Sequence, residues 1–251
     1  MSTTVVPEGD ALEHFTARAE RYNRSSHWCT DPVLARAILE HTRPAPGSRV
    51  LDVACGTGLV SRHFQAAGAE VTGLDITEAM YAQAAPYLVD MIVASASEMP
   101  IADDTFDLAV CRQGTQFMDD AKAIAEMVRV VKPGGRIAII NLCAYGEEDR
   151  AEYFEILRLR NPARCNFYLR EDLRRLLLDA GCASAVVHDH ISVEDVDPWS
   201  DNGAIEESRR EGIREVYRNA SEPFRRLHAV ATEDGSRFVD RMLFGIAVGV
   251  K

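Results

Sequence analysis

From Arg49 onward the apolar residues keep two alternating rhythms. Compact apolar runs such as Val50, Leu51, Val53 and Ala54 give way to stretches where apolar residues recur every three or four positions. The first pattern suits a strand buried on both faces, the second a helix with one apolar side. Read in order, the chain predicts a strand over 49–54, a helix over 58–67 ending at Gly68, a strand over 70–74, and a helix over 77–85 stopped by Pro86. A short strand over 91–94 leads into the loop "EMPIADD", then a strand over 106–111 and a helix over 119–131. Ile124, Met127, Val128 and Val131 give that helix its stripe. "KPGG" makes a turn, and "RIAIINL" is the fifth strand. Strands alternating with helices argue for a parallel sheet covered on both faces.

The flanks differ. Residues 10–23 form an amphipathic helix pattern with Leu12, Phe15, Ala19 and Tyr22 on one face, interrupted by "NRSSHWCT". Asp31 then caps a second helix, with Pro32 in its first turn, Leu34, Ala37, Ile38 and His41 along it, and "RPAPGS" ending it. Downstream, Leu173, Leu176, Leu177 and Ala180 mark a helix over 170–180 that stops at Gly181, followed by the strand "ASAVVHDHI". Residues 192–235 hold eleven acids and six arginines in helix-prone sequence, and "SRFVDRMLFGIAVGV" closes as a strand. An insertion this long carries its own structure, so 192–235 is expected to be a helical cap. The expected fold is α/β: Rossmann-like, doubly wound, with a mostly parallel seven-stranded sheet, an antiparallel last strand and the cap. The units are 1–44, a core of 45–191 with 236–251, and the cap of 192–235.

Composition narrows the ligand. The formal net charge is −11 and no lysine/arginine block stands out, which disfavours a nucleic-acid backbone and favours a small molecule. No apolar run reaches the ~18 residues of a membrane span, and the N-terminus lacks the basic-then-apolar order of a signal peptide. A cytoplasmic location is therefore expected, with no membrane partner. Cys29, Cys55, Cys111, Cys143, Cys165 and Cys182 form no CxxC pair and read as free thiols. No metal is expected. His188 and His190 face one side of their strand but would need a third ligand.

The stretch "RVLDVACGTGLV" carries the chemistry. Gly56 and Gly58 let the backbone turn sharply and approach a ligand with no Cβ in the way. Dinucleotides and S-adenosylmethionine both use such a turn. A dinucleotide fingerprint needs a third glycine where this chain has Ser61. Asp52, inside the strand, suits a cationic ligand better than a pyrophosphate, unless it only caps the turn. Asp75, at the end of "VTGLD", can accept from two ribose hydroxyls, and it can equally cap the helix after it.

"VLDVACGTG", "VTGLDIT", "EMPIADDTFDLAV" and "VRVVKPGGRIAI" together resemble the class I S-adenosylmethionine-dependent methyltransferases, nearest the small-molecule group of ubiquinone/menaquinone-biosynthesis methyltransferases. The resemblance covers 45–142 and, more loosely, 10–30. It implies S-adenosylmethionine as cofactor. Asp52 and the backbone of Ala54 and Gly56 would hold the methionine portion, Asp75 the ribose, with Ile76 and Met80 beside the adenosine. Met80 is equally explained by core packing. Ser95 stands where the family usually has an acid reading the adenine amine, Ala96 would offer its N–H to the ring, and Arg112 its carbonyl to the ammonium. Tyr22 resembles the aromatic that closes over the cofactor with the N-terminal helices, or is a core residue.

Methyl transfer needs alignment, exclusion of water and, for a poor nucleophile, removal of a proton. No "NPPY"-like amine-substrate segment follows the fourth strand; "CRQGTQF" stands there. Gln113, Gln116 and Asn141 are the expected substrate-facing groups, and His27 and Tyr145 the candidate bases, with turn, capping or surface roles as the competing readings. Trp199, Ile205, Ile213, Val216, Tyr217 and Phe224 of the cap either pack among themselves or cover a hydrophobic substrate. A methyltransferase acting on a small hydrophobic metabolite is the leading expectation. A cofactor-binding enzyme that transfers no methyl group comes next, and a nicotinamide-dependent oxidoreductase is the weaker alternative. The oligomeric state is left open, a homodimer among the options.

Overall fold

The computed structural model describes residues 29–251 apart from 204 and 234. The helix expected over 10–23 lies outside them. The first described helix, α1 (Pro32–Thr42), starts as its sequence dictates: the Asp31 carboxylate accepts from the Val33 N–H at 2.8 Å and proline fills the first turn. Then come β1 (Arg49–Val53), α2 (Ser61–Ala66), β2 (Glu70–Asp75), a short helical segment built from Glu78–Met80, Tyr81–Ala84 and Ala85–Tyr87 and labelled α3, β3 (Asp90–Val93), β4 (Phe106–Arg112), α4 (Asp120–Val130) and β5 (Val131–Ala144). "KPGG" does not end the helix in a free turn. It lies within β5 as a bulge, because Phe106 pairs with Val131 and Leu108 already with Arg136. Gly134 takes a φ of +78° there, and a Cβ on Gly135 would sit 2.5 Å from Val131 Cγ1.

The sheet runs β3-β2-β1-β4-β5-β9-β7, where β7 is Ser184–Asp195 and β9 is Arg237–Val250. β1 to β5 are parallel; β9 is antiparallel to both β5 and β7. The last strand is thus antiparallel, as expected, yet it is interior, and β7 forms the edge. Two small strands join this path: β6 (Tyr168–Leu169) beside β5, and β8 (Ala231–Glu233) beside β9. Alternation along β5 sends Ile137, Ile139 and Cys143 to one face and Ala138, Ile140 and Leu142 to the other. α4 and α6 (Arg170–Asp179) cover the first face; α1, α2 and α5 (Arg150–Arg160) cover the second. α5 escapes periodicity because its apolar stripe, Tyr153, Ile156 and Leu157, is set among five charged residues.

The insertion forms α7 (Val196–Ser200), α8 (Glu207–Arg218) and α9 (Glu222–Leu227). Trp199, Ile213, Tyr217 and Phe224 are fully buried, in the same core as α5, with Ile205 and Val216 packed against them. Of the two sequence readings, packing is the one seen.

A buried charge network ties this layer to the sheet. His228 Nδ1 lies 2.8 Å from Asp240 on β9, and Nε2 lies 3.0 Å from Asp149, the residue before α5. Asp240 also accepts the Tyr217 hydroxyl at 2.5 Å, and Asp149 accepts the Tyr145 and Gly146 N–H groups, both at 2.8 Å. Phe224 stacks on the imidazole with centroids 4.0 Å apart. Burial alone would discharge His228, but its hydrogen bonds to the two carboxylates carry its pKa from 6.5 up to about 9. The folded state thus holds this proton more tightly than the unfolded chain. The stabilisation is complete below pH 6.5 and is lost as pH rises through about 9. Breaking such a buried pair costs about 3–5 kcal/mol. A His228→Gln variant should therefore melt well below the wild type at neutral pH, with the gap closing above the folded-state pKa. Thermal melts across that range check this, and a gap that stays constant with pH would contradict it.

Candidate active site

The carboxyl ends of β1, β2 and β4 open into a cleft with an enclosed volume of about 90 Å³. Two neighbouring parallel strands end in left-handed residues, Ala54 after β1 (φ +54°) and Gln113 after β4 (φ +56°). Both chains turn off the sheet there, and the cleft opens at the turn. Such backbone conformations are costly for residues with a Cβ and cluster at functional sites. Gly56 follows with φ +53°, and a Cβ on it would meet nothing within 4 Å, so the space above its backbone is open. Gly114 is the reverse: a Cβ there would fall 2.7 Å from the Ala54 Cβ and from Cys111 Sγ.

Asp75 organises this end of the sheet. One carboxylate oxygen accepts from the Gly56 N–H and the other from the Thr77 N–H, each at 2.8 Å. Burial pushes its pKa up against these two donors. Asp75 lines the cleft together with Ile76 and Met80, and Ala54 and Gly56 form the wall from β1. Ser95 and Ala96 form the opposite wall, and Ser95 Oγ accepts from the Ser97 N–H at 3.1 Å. Arg129 on α4 holds that loop in place: it donates to the carbonyls of Met99 (3.1 Å) and Ile101 (2.7 Å) and pairs with Glu126 and Asp103.

Asp52 and Arg112 stand apart from these walls. Asp52 is buried beneath the glycine loop, where Ser61 Oγ donates to it at 2.6 Å. Desolvation raises its pKa to about 6, against the Ser61 hydrogen bond and the positive charge of Arg112. Arg112 borders a small crevice with Ala35, Ile38, Leu59 and His63, on the α1–α2 side. The residue that breaks the dinucleotide fingerprint is thus the direct partner of the buried acid.

The expected substrate groups form one buried cluster behind the cleft. Gln113 lines the cleft and its Oε1 accepts from Gln116 Nε2 at 2.8 Å; Asn141 Nδ2 donates to Thr115 Oγ1 at 2.6 Å. Gln116 and Asn141 do not reach the cleft wall. Tyr145 does not come to the cleft either. Its hydroxyl donates to the Arg241 carbonyl at 2.5 Å, burial pushes its pKa up to about 12, and its ring packs edge-on against His228. A hydroxyl so committed cannot serve as the base expected from its place after β5. Tyr22 and His27 lie outside the described residues. His188 and His190 do share a face, and both meet α1: His188 stacks on His41 at 3.6 Å, and His190 lies 2.9 Å from Asp31. No group of three metal-ligating side chains occurs among the described residues. The insertion's apolar residues are also absent from the described cleft walls. Phe117 and Met118 are present there and were missed; an apolar pair inside the polar "CRQGTQFM" was the available signal. None of the described helices is long and apolar enough to cross a membrane.

Residues 51–139 match the family described as "Methyltransferase domain". A demethylmenaquinone methyltransferase of Corynebacterium kroppenstedtii is 33% identical over 129 residues, covering 50% of this chain and 56% of that protein. A malonyl-[acyl-carrier protein] O-methyltransferase of Pseudescherichia vulneris is 35% identical over 139 residues, covering 54% of this chain and 52% of that protein. The chain spans little more than half the length of these two relatives. The YcgJ protein of Bacillus subtilis has the same fold, with a TM-score of 0.79 at 20% identity over 86% of this chain and 97% of that one. Residues 51–139 thus carry a methyltransferase domain, and around it the chain is similar in sequence to ubiquinone/menaquinone-biosynthesis methyltransferases and shares its fold with the YcgJ protein.

Proposed function

We propose that the cleft binds S-adenosylmethionine and that the chain passes its methyl group to a small, hydrophobic metabolite. The observation that carries this is the pairing of Gly56 with Asp75: a bare backbone with open space above it, held by a carboxylate that still faces the cleft. Such a carboxylate suits the two ribose hydroxyls, and Ile76, Met80 and Ala96 offer an apolar slot for an adenine ring. Ser95 takes the place of an acid at the amine edge, a weaker acceptor by about 1 kcal/mol. Asp52 supplies negative charge beneath the loop, which favours an ammonium and sulfonium over a pyrophosphate. Ser61, in place of the third glycine that lets helix and strand pack closely in a dinucleotide fold, also disfavours a nicotinamide dinucleotide.

The cofactor, when bound, supplies a methyl group already attached to a positively charged leaving sulfur. The chain's task is then alignment and exclusion of water. Asp75 is the only ionisable side chain among the described residues lining the cleft, and Phe117, Met118 and Leu74 keep the interior apolar. An acceptor that must lose a proton would use His27, with Tyr22 covering the cofactor from the same N-terminal segment. The relatives' names include demethylmenaquinone and malonyl-[acyl-carrier protein], which fits a small-molecule or carrier-bound acceptor.

Titration with S-adenosylhomocysteine tests the reading. Its ammonium needs Asp52 charged, so affinity should be flat above pH 6 and fall about tenfold per pH unit below it. Asp52→Asn should bind more weakly with no such slope. No binding at millimolar ligand would sink the proposal. Two glycine variants separate ligand space from packing. Gly56→Ala should lose only about 1–2 kcal/mol of stability, from its positive φ, yet lose the ligand. Gly114→Ala should lose about 1–3 kcal/mol from overpacking, seen as a lower melting temperature before any ligand is added. Unchanged S-adenosylhomocysteine affinity in Gly56→Ala would contradict the placement.

A further inference from the structure

Behind the cleft lies a positive charge with no counter-charge among the described residues. Arg164, in the loop between α5 and β6, is only 7% exposed. Its guanidinium has no hydrogen bond or ion pair to any described residue. Its neighbours are the Phe167 ring, 5.5 Å from the guanidinium carbon, and the neutral groups of Tyr168, Tyr153, Cys143 and Cys165. Burial lowers its pKa to about 10, so it remains a cation at neutral pH. An isolated buried charge is among the most costly things a fold can hold. Cation–π contact with one ring does not replace an anion.

Unmatched polar atoms also lie in the elements this loop contacts. Gln113 Nε2, Gln116 Oε1, Asn141 Oδ1 and the Tyr153 hydroxyl are all buried without a hydrogen-bond partner among the described residues. These groups are joined to the cleft. The backbone N–H groups of Cys165 and Asn166, next to Arg164, donate to the Gln116 carbonyl at 2.9 and 3.2 Å. Asn166 Nδ2 donates to the carbonyls of Thr115 (2.9 Å) and Met118 (2.8 Å). The Arg164 loop is thus stitched to the turn whose Gln113, Phe117 and Met118 face the cleft. Buried orphans of this kind mark a place where a missing partner belongs.

We propose that Arg164 is the anchor for an anionic oxygen on the acceptor, a carboxylate or an ionised hydroxyl, with the free amide N–H of Gln113 as a further donor from the cleft side. That the anion belongs to a methyl acceptor rests on the function proposed above; that the site takes an anion does not. A fork of five N–H donors matches either oxyanion better than a lysine would.

Thermal melts of the full chain at about pH 8.5, where both probes are ionised, decide the matter. The probes are benzoate, para-nitrophenolate and neutral benzamide at equal ionic strength, each with and without S-adenosylhomocysteine. The wild type should melt about 3 °C higher with at least one of the anions, and not with benzamide. Which anion acts tells carboxylate from ionised hydroxyl. Arg164→Met should abolish the gain and, without ligand, melt at or above the wild type, because it removes an uncompensated charge. Arg164→Gln should abolish the gain as well, should the methionine variant fail to fold. Equal response of wild type to benzoate, nitrophenolate and benzamide would overturn the proposal, as would an anion gain that survives in either variant. If S-adenosylhomocysteine leaves the wild type unchanged while the anions still act through Arg164, it is the methyltransferase reading that fails and the anion site that stands.

Discussion

The Asp75 carboxylate holds two backbone N–H groups that belong to two different crossings of the sheet. Gly56 begins the path from β1 to α2, and Thr77 begins the path from β2 to α3. Parallel strands end together, and the chain must leave each of them in a tight turn. One carboxylate at the end of β2 fixes both exits, so the gap between them has a defined width. The left-handed turns at Ala54 and Gln113 then widen the opening toward β4. Without the tie, the glycine loop would keep its flexibility and lose its position. The same carboxylate remains on the cleft wall.

A second set of constraints keeps the far half of the sheet in register. β9 is inserted between β5 and β7, which brings Asp240 beneath the helical layer. His228 then bridges Asp240 and Asp149, fastening the end of α9 to the start of α5. This layer is a buttress on one face of the sheet. By covering the loop after β5, it leaves the Tyr145 ring on His228 and takes Tyr145 out of the chemistry. It also leaves the residue 161–167 loop free to fold back over the turn after β4, carrying Arg164 with it.

How much of this was legible follows from the range of each interaction. The strands, the capped start of α1 and the glycine turn rest on neighbours in sequence, and the periodic pattern found them. The capping role of Asp75 was legible because its bond to the Thr77 N–H is local, whereas its tie to Gly56 spans two strands and was not. The antiparallel last strand was read from the missing crossover, but its interior place was not, because strand order is a property of the whole sheet. The His228 network joins residues 149, 228 and 240, and no local signal links them. α5 was missed because five charges dilute its stripe. Ser61 was read as a missing glycine, and only the fold shows its hydroxyl on Asp52. Arg164 carried no local signal in the sequence, because its isolation exists only once the loop is packed.

Amide hydrogen exchange with and without S-adenosylhomocysteine tests most directly whether the cleft shaped by Asp75 is the cofactor site. The Gly56 and Thr77 amides should already be protected in the free protein through Asp75. Adding the ligand should slow exchange across residues 54–58, 75–80 and 94–97, and leave β7 and β9 unchanged. Ligand binding that leaves those three segments exchanging as before, or protects residues elsewhere in the fold instead, would contradict it.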